Sequence, residues 1–466
     1  MDLSIFDCAS PLDYRYYGDD SAMVQLLSPY VTERAYIYSE LEVEAAAVRV
    51  LARRGVCPQA VADEVTGAID EVAPEEVHAE DKRIHHDTRA MVNCLRSKVS
   101  DEAKPFVHLS LTSFDVKDTA LALRLKRCAH EAIIPELLKL EQILIDLAMR
   151  ERQTVQMGRT HGQHAVPITF GFAIAQFVSR LGGRIEAIRG AADALCGKIS
   201  GAVGAYNASS IFFDDPLVFE EEVLAELDLQ PSPSSTQIVE AEFVTDYMHA
   251  LVSAFGVLAN AADDMRNLQR TEIGEVGEEF EAEQVGSSTM PHKRNPWNFE
   301  SVKSMWKVMA ARMQTVYADQ ISEHQRDLTN SASQRFLPEV IVGLMNSTRR
   351  LQRVMGKLVT DPERMAANFD LTGGMVAAEP AYILLAAHGH PDAHEAIRKL
   401  TLQAQASGRG LWELLRASEE LTPYLEKLTD KQRGLLRDPG LYLGAAVEKT
   451  ECLCHAWAEK LGLEVR

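Results

Sequence analysis

Apolar side chains recur every three or four residues along most of the chain from Val31 onward, the spacing that gathers them on one face of an α-helix. In residues 131–147, Ile133, Ile134, Leu137, Leu138, Leu140, Ile143, Leu144 and Leu147 keep this period. Residues 172–195 repeat it through Ile174, Phe177, Val178, Leu181, Ile185 and Ile188, and residues 243–268 through Tyr247, Met248, Leu251, Val252, Phe255, Leu258 and Met265. Two more runs follow at 299–320 and 340–358. Extended into helices of about 25 or more residues, these five runs exceed the usual globular length and predict a long bundle. Their apolar faces are wider than a two-position seam, so each helix is expected to bury more than one side, with subunits assembling through the bundle. No alternation of period two competes with the helical period.

Charge and proline interrupt the pattern near 102–105 and 360–362, as expected of segment boundaries. The predicted fold is therefore all-α with three domains: an N-terminal helical domain (1–110), a central long-helix bundle (111–363) and a C-terminal helical domain (364–466). The stretch 201–216, GAVGAYNASSIFFDDP, and the later PSPSSTQ form the main irregular insert.

Composition narrows the function classes. A net charge of −20 argues against a broad nucleic-acid or anionic-membrane surface, so an anionic ligand must be held by a local cluster. The seven cysteines are odd in number, scattered and without paired zinc spacing, and read as reduced thiols. The first twenty residues carry acids where a signal peptide is basic, and no apolar run approaches about 18 residues. A cytoplasmic protein with no membrane span is expected.

Candidate chemistry sits in five segments. GSSTMPHKRNP (286–296) joins a flexible Gly286 to the helix-breaking Pro291 and Pro296, so that Ser287, Ser288, Lys293 and Asn295 can converge on one anion. HLSLTSFDVKDTA (108–120) reads either as a helix start, with Thr112 as cap and Asp115 and Asp118 in the opening turns, or as an anion site at a helix N-terminus using Thr112 and Ser113. GRTHGQH holds Thr160, His161 and Gln163; a histidine beside glycine is ordinarily a turn or core residue. RIHHDTRA places His85, His86 and Asp87 side by side, a spacing poorly suited to a metal, although an aspartate beside a histidine orients or charges the ring. In QRDLTNSASQR, Arg326, Ser331 and Arg335 are spaced to converge on a phosphate dianion.

The first of these segments resembles the GSSxMPxKxNP signature of the fumarase/aspartase superfamily, whose members eliminate fumarate or a related acid. That resemblance implies a closing loop with Ser287 as catalytic base and Lys293 and Asn295 as carboxylate ligands. THGQ is similar to the superfamily's THxQ segment, which implies His161 as the general acid and Gln163 as a carboxylate donor; TSFD is similar to TSxD, with Thr112 and Ser113 as substrate donors. SPLDYRYY, GKISGAVGAYNA, SSTQ and QRDLTNSASQR resemble the adenylosuccinate lyase branch. This implies nucleotide contacts from Arg15, Tyr16, His85, His86, Asp87, Gln237, Arg326, Ser331 and Arg335.

The resemblance further implies β-elimination of fumarate from adenylosuccinate, and from the succinylated purine precursor SAICAR, without metal or organic cofactor. It also implies a homotetramer whose sites draw on three subunits. Three positions depart from the branch pattern: Tyr14 for glycine, Ala205 for asparagine, and Ala241 where many members carry a basic residue. The alternatives are argininosuccinate lyase or 3-carboxymuconate cycloisomerase chemistry, neither of which needs a phosphate site, or a non-catalytic protein on the same fold.

Overall fold

The computed structural model describes residues 8–280, 283, 286–325 and 328–466; Arg326 lies outside the described residues. In chain order the elements that matter here are helices α1 (Glu33–Arg53), α2 (Pro74–Ile84), α3 (Asp87–Ser97), α4 (Ser113–Cys128) and α5 (Ile134–Arg150), then strands β1 (Val155–Thr160) and β2 (Gln163–Thr169). Helices α6 (Phe170–Asp193), α7 (Ala241–Leu268), α8 (Trp297–Ala310) and α9 (Leu337–Gly356) follow, with shorter helices to the C-terminus. The fold is all-α in class.

All five periodic runs are helical, but most are shorter than expected. α7 reaches 28 residues, α6 has 24 and α9 has 20. α5 starts only after a π-turn at Ala129–Ile133. Pro135 explains that turn, because it has no N–H to continue the ladder and crowds the preceding carbonyls. The run at 299–320 breaks after Ala310, where Arg312 N bonds back to Met309 O at 3.0 Å and the chain turns before Met313–Ala318.

The chain forms two compact units, one of residues 1–137, 183–256 and 304–349, the other of 138–182, 257–303 and 350–466. Each boundary falls inside one of α5 to α9, so every one of these helices contributes to both. In the first unit α1 packs on α4 and buries Ile37, Leu41, Val48 and Leu51, each worth about 1.5–3 kcal/mol on removal from water. In the second, Leu140, Leu144, Phe177, Leu181, Val257, Leu258, Ala261, Leu351 and Met355 enclose a void of about 10 Å³. That is the close packing of an ordered core.

The β1–β2 hairpin corrects the expectation that no period-two structure is present. Its two-residue turn is His161–Gly162, with φ of 54° and 72°, closed by the Thr160–Gln163 pair. Positive φ at both turn positions is the type I′ geometry that suits the twist of a hairpin.

α5 also carries a carboxyl in its apolar face. Glu141 is fully buried, and neither oxygen has a hydrogen-bond partner; burial pushes its pKa well above the usual carboxylate range. The folded state thus holds a proton that the unfolded chain releases near pH 4 to 5, so stability falls as pH rises from there towards the folded value. Glu141→Gln removes this linkage. Its stability advantage over the natural protein should widen between pH 5 and pH 8 by about 1.4 kcal/mol per unit while the native carboxyl stays protonated. Parallel denaturation curves of the two proteins at both pH values would contradict this.

Candidate active site

The first unit holds a cavity of about 480 Å³, walled by the α2–α3 junction, one face of α4, Tyr36 of α1, and Ser331 and Arg335 ahead of α9. The junction is two residues long. His85 ends α2 with a left-handed φ of 55°, and His86 caps α3 by accepting Arg89 N on Nδ1 at 3.2 Å. With Nδ1 an acceptor, the neutral ring carries its proton on Nε2. Asp87 Oδ1 accepts Thr88 N at 2.7 Å, while Oδ2 meets the Lys117 ammonium and lies 3.6 Å from Arg335 Nη2. Burial alone would raise the Asp87 pKa, but Lys117, the Thr88 amide and Arg335 outweigh it and hold the carboxyl below its usual range.

Below Lys117 lies a second layer. Burial, opposed by Lys117, pushes Glu40 up to about 7. Burial, followed by Glu40 and Asp87, raises the Tyr36 phenol far above its ordinary value, so it stays neutral. The Arg124 guanidinium sits 5.1 Å from the Tyr36 ring centroid, a cation–π distance, and donates to Tyr30 O at 2.8 Å.

At the start of α4, Thr112 occupies the cap position and its carbonyl accepts Asp115 N at 3.0 Å. Asp115 Oδ2 reaches back to Thr112 N at 2.8 Å. The Asp115 carboxylate is wholly buried against the equally buried Lys198 ammonium. Lys198 also donates to Gly201 O at 3.1 Å, and Gly201 N returns to Asp115 Oδ1 at 3.0 Å. Thr119 Oγ1 accepts Lys198 N at 3.0 Å and donates to Lys198 O at 2.9 Å. These bonds strap GKISG to the turn that presents Ser113. Ahead of it, Glu44 of α1 accepts His108 N at 2.9 Å and pairs with its Nδ1 at 2.6 Å, bracing a residue at φ 66°. Burial works against the His108 charge, but Glu44 prevails and the pKa is raised.

Of the expected substrate contacts described in this unit, His85, His86, Asp87, Ser113, Ser331 and Arg335 line this one cavity; Arg15, Tyr16, Thr112 and Gln237 do not. Arg15 is exposed on a short π-helix, Leu12–Tyr17. The carbonyl of Tyr16 accepts Asn346 Nδ2 at 3.1 Å, and Gln237 N donates to Gln325 O at 3.4 Å.

In the second unit the hairpin carries His161 and Gln163, both exposed at its tip. Its base is anchored by Glu275, which is fully buried. Arg159 grips that carboxylate with Nη1 at 3.1 Å and Nη2 at 2.5 Å, Gln156 donates at 2.8 Å and Asn368 at 2.9 Å. Burial raises the Glu275 pKa, but these donors outweigh it and the carboxyl stays ionised below its usual range.

The loop 286–296 belongs to the same unit. Gly286 is required there, since a Cβ would lie 2.3 Å from the Lys293 carbonyl oxygen. Ser287 Oγ accepts Met290 N at 3.1 Å and Thr289 N at 3.4 Å. Asn295 Nδ2 donates to Gly286 O at 2.9 Å, so one of its two N–H bonds holds the loop itself, and the Lys293 side chain is exposed. Glu278 secures the far end by accepting Asn298 N at 3.0 Å and Phe299 N at 3.1 Å at the start of α8.

Comparison with known proteins decides the family. Residues 14–310 match the family model described as lyase, and residues 322–432 the model described as adenylosuccinate lyase C-terminal. The chain is 37% identical to adenylosuccinate lyase of Pyrococcus abyssi over 95% of this chain and 96% of that one. It is 33% identical to adenylosuccinate lyase of Bacillus subtilis over 87% and 93%. The chain belongs to the adenylosuccinate lyase family.

Among solved structures the fold is similar to a fumarate lyase from Mesorhizobium sp. BNC1, with a TM-score of 0.81, 25% identity and coverage of 92% and 97%. It is equally similar to a 3-carboxy-cis,cis-muconate lactonizing enzyme from Pseudomonas putida, with a TM-score of 0.81, 26% identity and coverage of 94% and 100%. The backbone is thus shared with that lactonizing enzyme, whereas the C-terminal family model and the higher identities group the chain with the adenylosuccinate lyases.

Within this adenylosuccinate lyase family member, the residues that sequence reasoning passed over are Lys117, the Asp115–Lys198 pair, and Arg159 with Glu275. A signal for Lys117 existed: it follows Ser113 by four residues, and positions i and i+4 share a helix face. The two carboxylate anchors left none, because each joins residues far apart in the chain. No helix among the described residues is long and apolar enough to cross a membrane.

Proposed function

We propose that this protein cleaves adenylosuccinate to AMP and fumarate, and SAICAR to AICAR and fumarate, in the cytoplasm. The observation that carries the proposal is the cavity lined by His86, Asp87, Ser113, Ser331 and Arg335: hydroxyl and guanidinium donors beside a histidine are what a phosphorylated, carboxylate-bearing ligand requires. Ser287 is the base. It takes the proton from the carbon next to a succinyl carboxylate, the electron pair moves to form the C=C bond of fumarate, and the C–N bond breaks as His161 protonates the departing nitrogen.

The difficult step is removal of a weakly acidic C–H. The Thr289 and Met290 amides aimed at Ser287 Oγ favour the deprotonated oxygen. Lys293, Asn295, Thr112, Ser113 and Gln163 supply donors to the carboxylates, where negative charge grows; preorganised donors of this kind contribute about 3–4 kcal/mol each. Arg15, Tyr16, His85, Gln237, Arg326, Ser331 and Arg335 bind the nucleotide, in a homotetramer whose sites combine three subunits.

The test is to add adenylosuccinate to the purified protein and follow fumarate release optically. Fumarate and AMP should appear in equal amounts. Turnover of argininosuccinate with none of adenylosuccinate would overturn the reading.

A further inference from the structure

Lys117 lines the cavity and has no part in the scheme above. It lies one helical turn beyond Ser113, so both project from the same face of α4. Its ammonium pairs with Asp87 Oδ2, the same oxygen that lies 3.6 Å from Arg335 Nη2. One carboxylate thus stands between two cations that reach it from different segments. The Lys117 side chain is only 14% exposed and that of Arg335 68%, so one cation sits inside the cavity and the other at its mouth. The Tyr36 ring, 6.0 Å away, flanks the ammonium on another side.

We propose that Lys117 is a specificity-determining residue for the nucleotide: with Arg335 it forms a two-cation clamp for the phosphate dianion, which Asp87 holds ready in the unliganded protein. The inference rests on the reading of the cavity as a nucleotide site. Asp87 brings a single negative charge to Lys117, with Arg335 at 3.6 Å, whereas a phosphate near −2 charge with three acceptor oxygens can bond to both cations at once. Asp87 offsets the repulsion between the two positive groups and holds the largely buried Lys117 ammonium in place, which lowers the ordering cost of binding.

The experiment is calorimetric titration of the full-length protein with AMP, which carries the phosphate but no succinyl group, and with fumarate, which carries only carboxylates. In Lys117→Met, AMP affinity should fall about 10- to 100-fold, the loss of a charged hydrogen bond, with fumarate affinity unchanged. KM for adenylosuccinate should rise by a similar factor with little change in kcat. Lys117→Arg should restore AMP binding to within a few fold, which a merely structural ion pair would not predict for the phosphate ligand alone. If Lys117→Met is not soluble, Lys117→Gln carries the same comparison.

Unchanged AMP affinity, equal losses in the methionine and arginine variants, or a loss confined to fumarate would each overturn the clamp. Failure of the natural protein itself to bind AMP and cleave adenylosuccinate would instead overturn the functional reading. Normal turnover with no effect at Lys117 condemns the clamp alone.

Discussion

Ser287→Ala should leave a folded protein that binds adenylosuccinate within a few fold of the natural affinity and turns it over about 10³-fold more slowly, within the range assigned to positioned proton transfer. Binding survives because the loop is not built on this hydroxyl. The close approach of Gly286 to the Lys293 carbonyl and the bond from Asn295 to Gly286 O both remain. What is lost is two backbone-to-Oγ bonds in an exposed segment, a cost of about 1 kcal/mol. Single-turnover rates and calorimetric affinities read the two effects separately. A variant that kept a tenth of normal turnover would show that another group takes the proton, and one that lost affinity in step with rate would make Ser287 a structural residue of the loop.

The largest stability effect should come from the first unit. Asp115 and Lys198 are each fully buried, and removing one member of such a pair strands the other charge in a medium that cannot solvate it. Asp115→Asn or Lys198→Met should therefore cost about 3–5 kcal/mol. The double variant Asp115→Asn/Lys198→Met should be less destabilised than the sum of the two, because neither charge is left behind. Denaturation of all four proteins forms the cycle. The strap also carries a local signature: amides of residues 198–201 should lose protection from hydrogen exchange before those of α1 do. A single variant within 1 kcal/mol of the natural protein would mean that water reaches the pair.

How much of this was legible beforehand follows from which forces are local. The helices now bounded by Phe170–Asp193, Ala241–Leu268 and Leu337–Gly356 were readable to within three residues at either end, since their apolar period is set by burial along the helix itself. The β1–β2 hairpin was not, for two reasons. Gln156 is buried through its bond to Glu275, and a bulge shifts the register between Met157 and Arg159, so alternation of polar and apolar residues disappears from a six-residue strand. LTSF and NSASQR were readable as anion chemistry and RIHHD as an aspartate orienting or charging a histidine, and the fold brings members of all three around one cavity. That they share it was beyond any spacing rule. Glu141 did leave a mark, standing four residues after Leu137 and three before Leu144 on a core face, but a charged residue in an apolar period reads as a gap in the pattern rather than as a buried acid.

The left-handed backbone at His161 bears on how such proteins lose their chemistry. At φ 54° the turn disfavours β-branched and bulky residues but accepts asparagine and glycine readily. A drift from histidine to either of these would keep the hairpin, the Glu275 anchor and the whole helical shell while deleting the proposed proton donor. Such a chain would still be recognised by fold and by most of its motifs. On the proposed role of His161, an inactive descendant is one tolerated replacement away, and this single turn position would then separate an active lyase from a silent one where similarity of backbone does not.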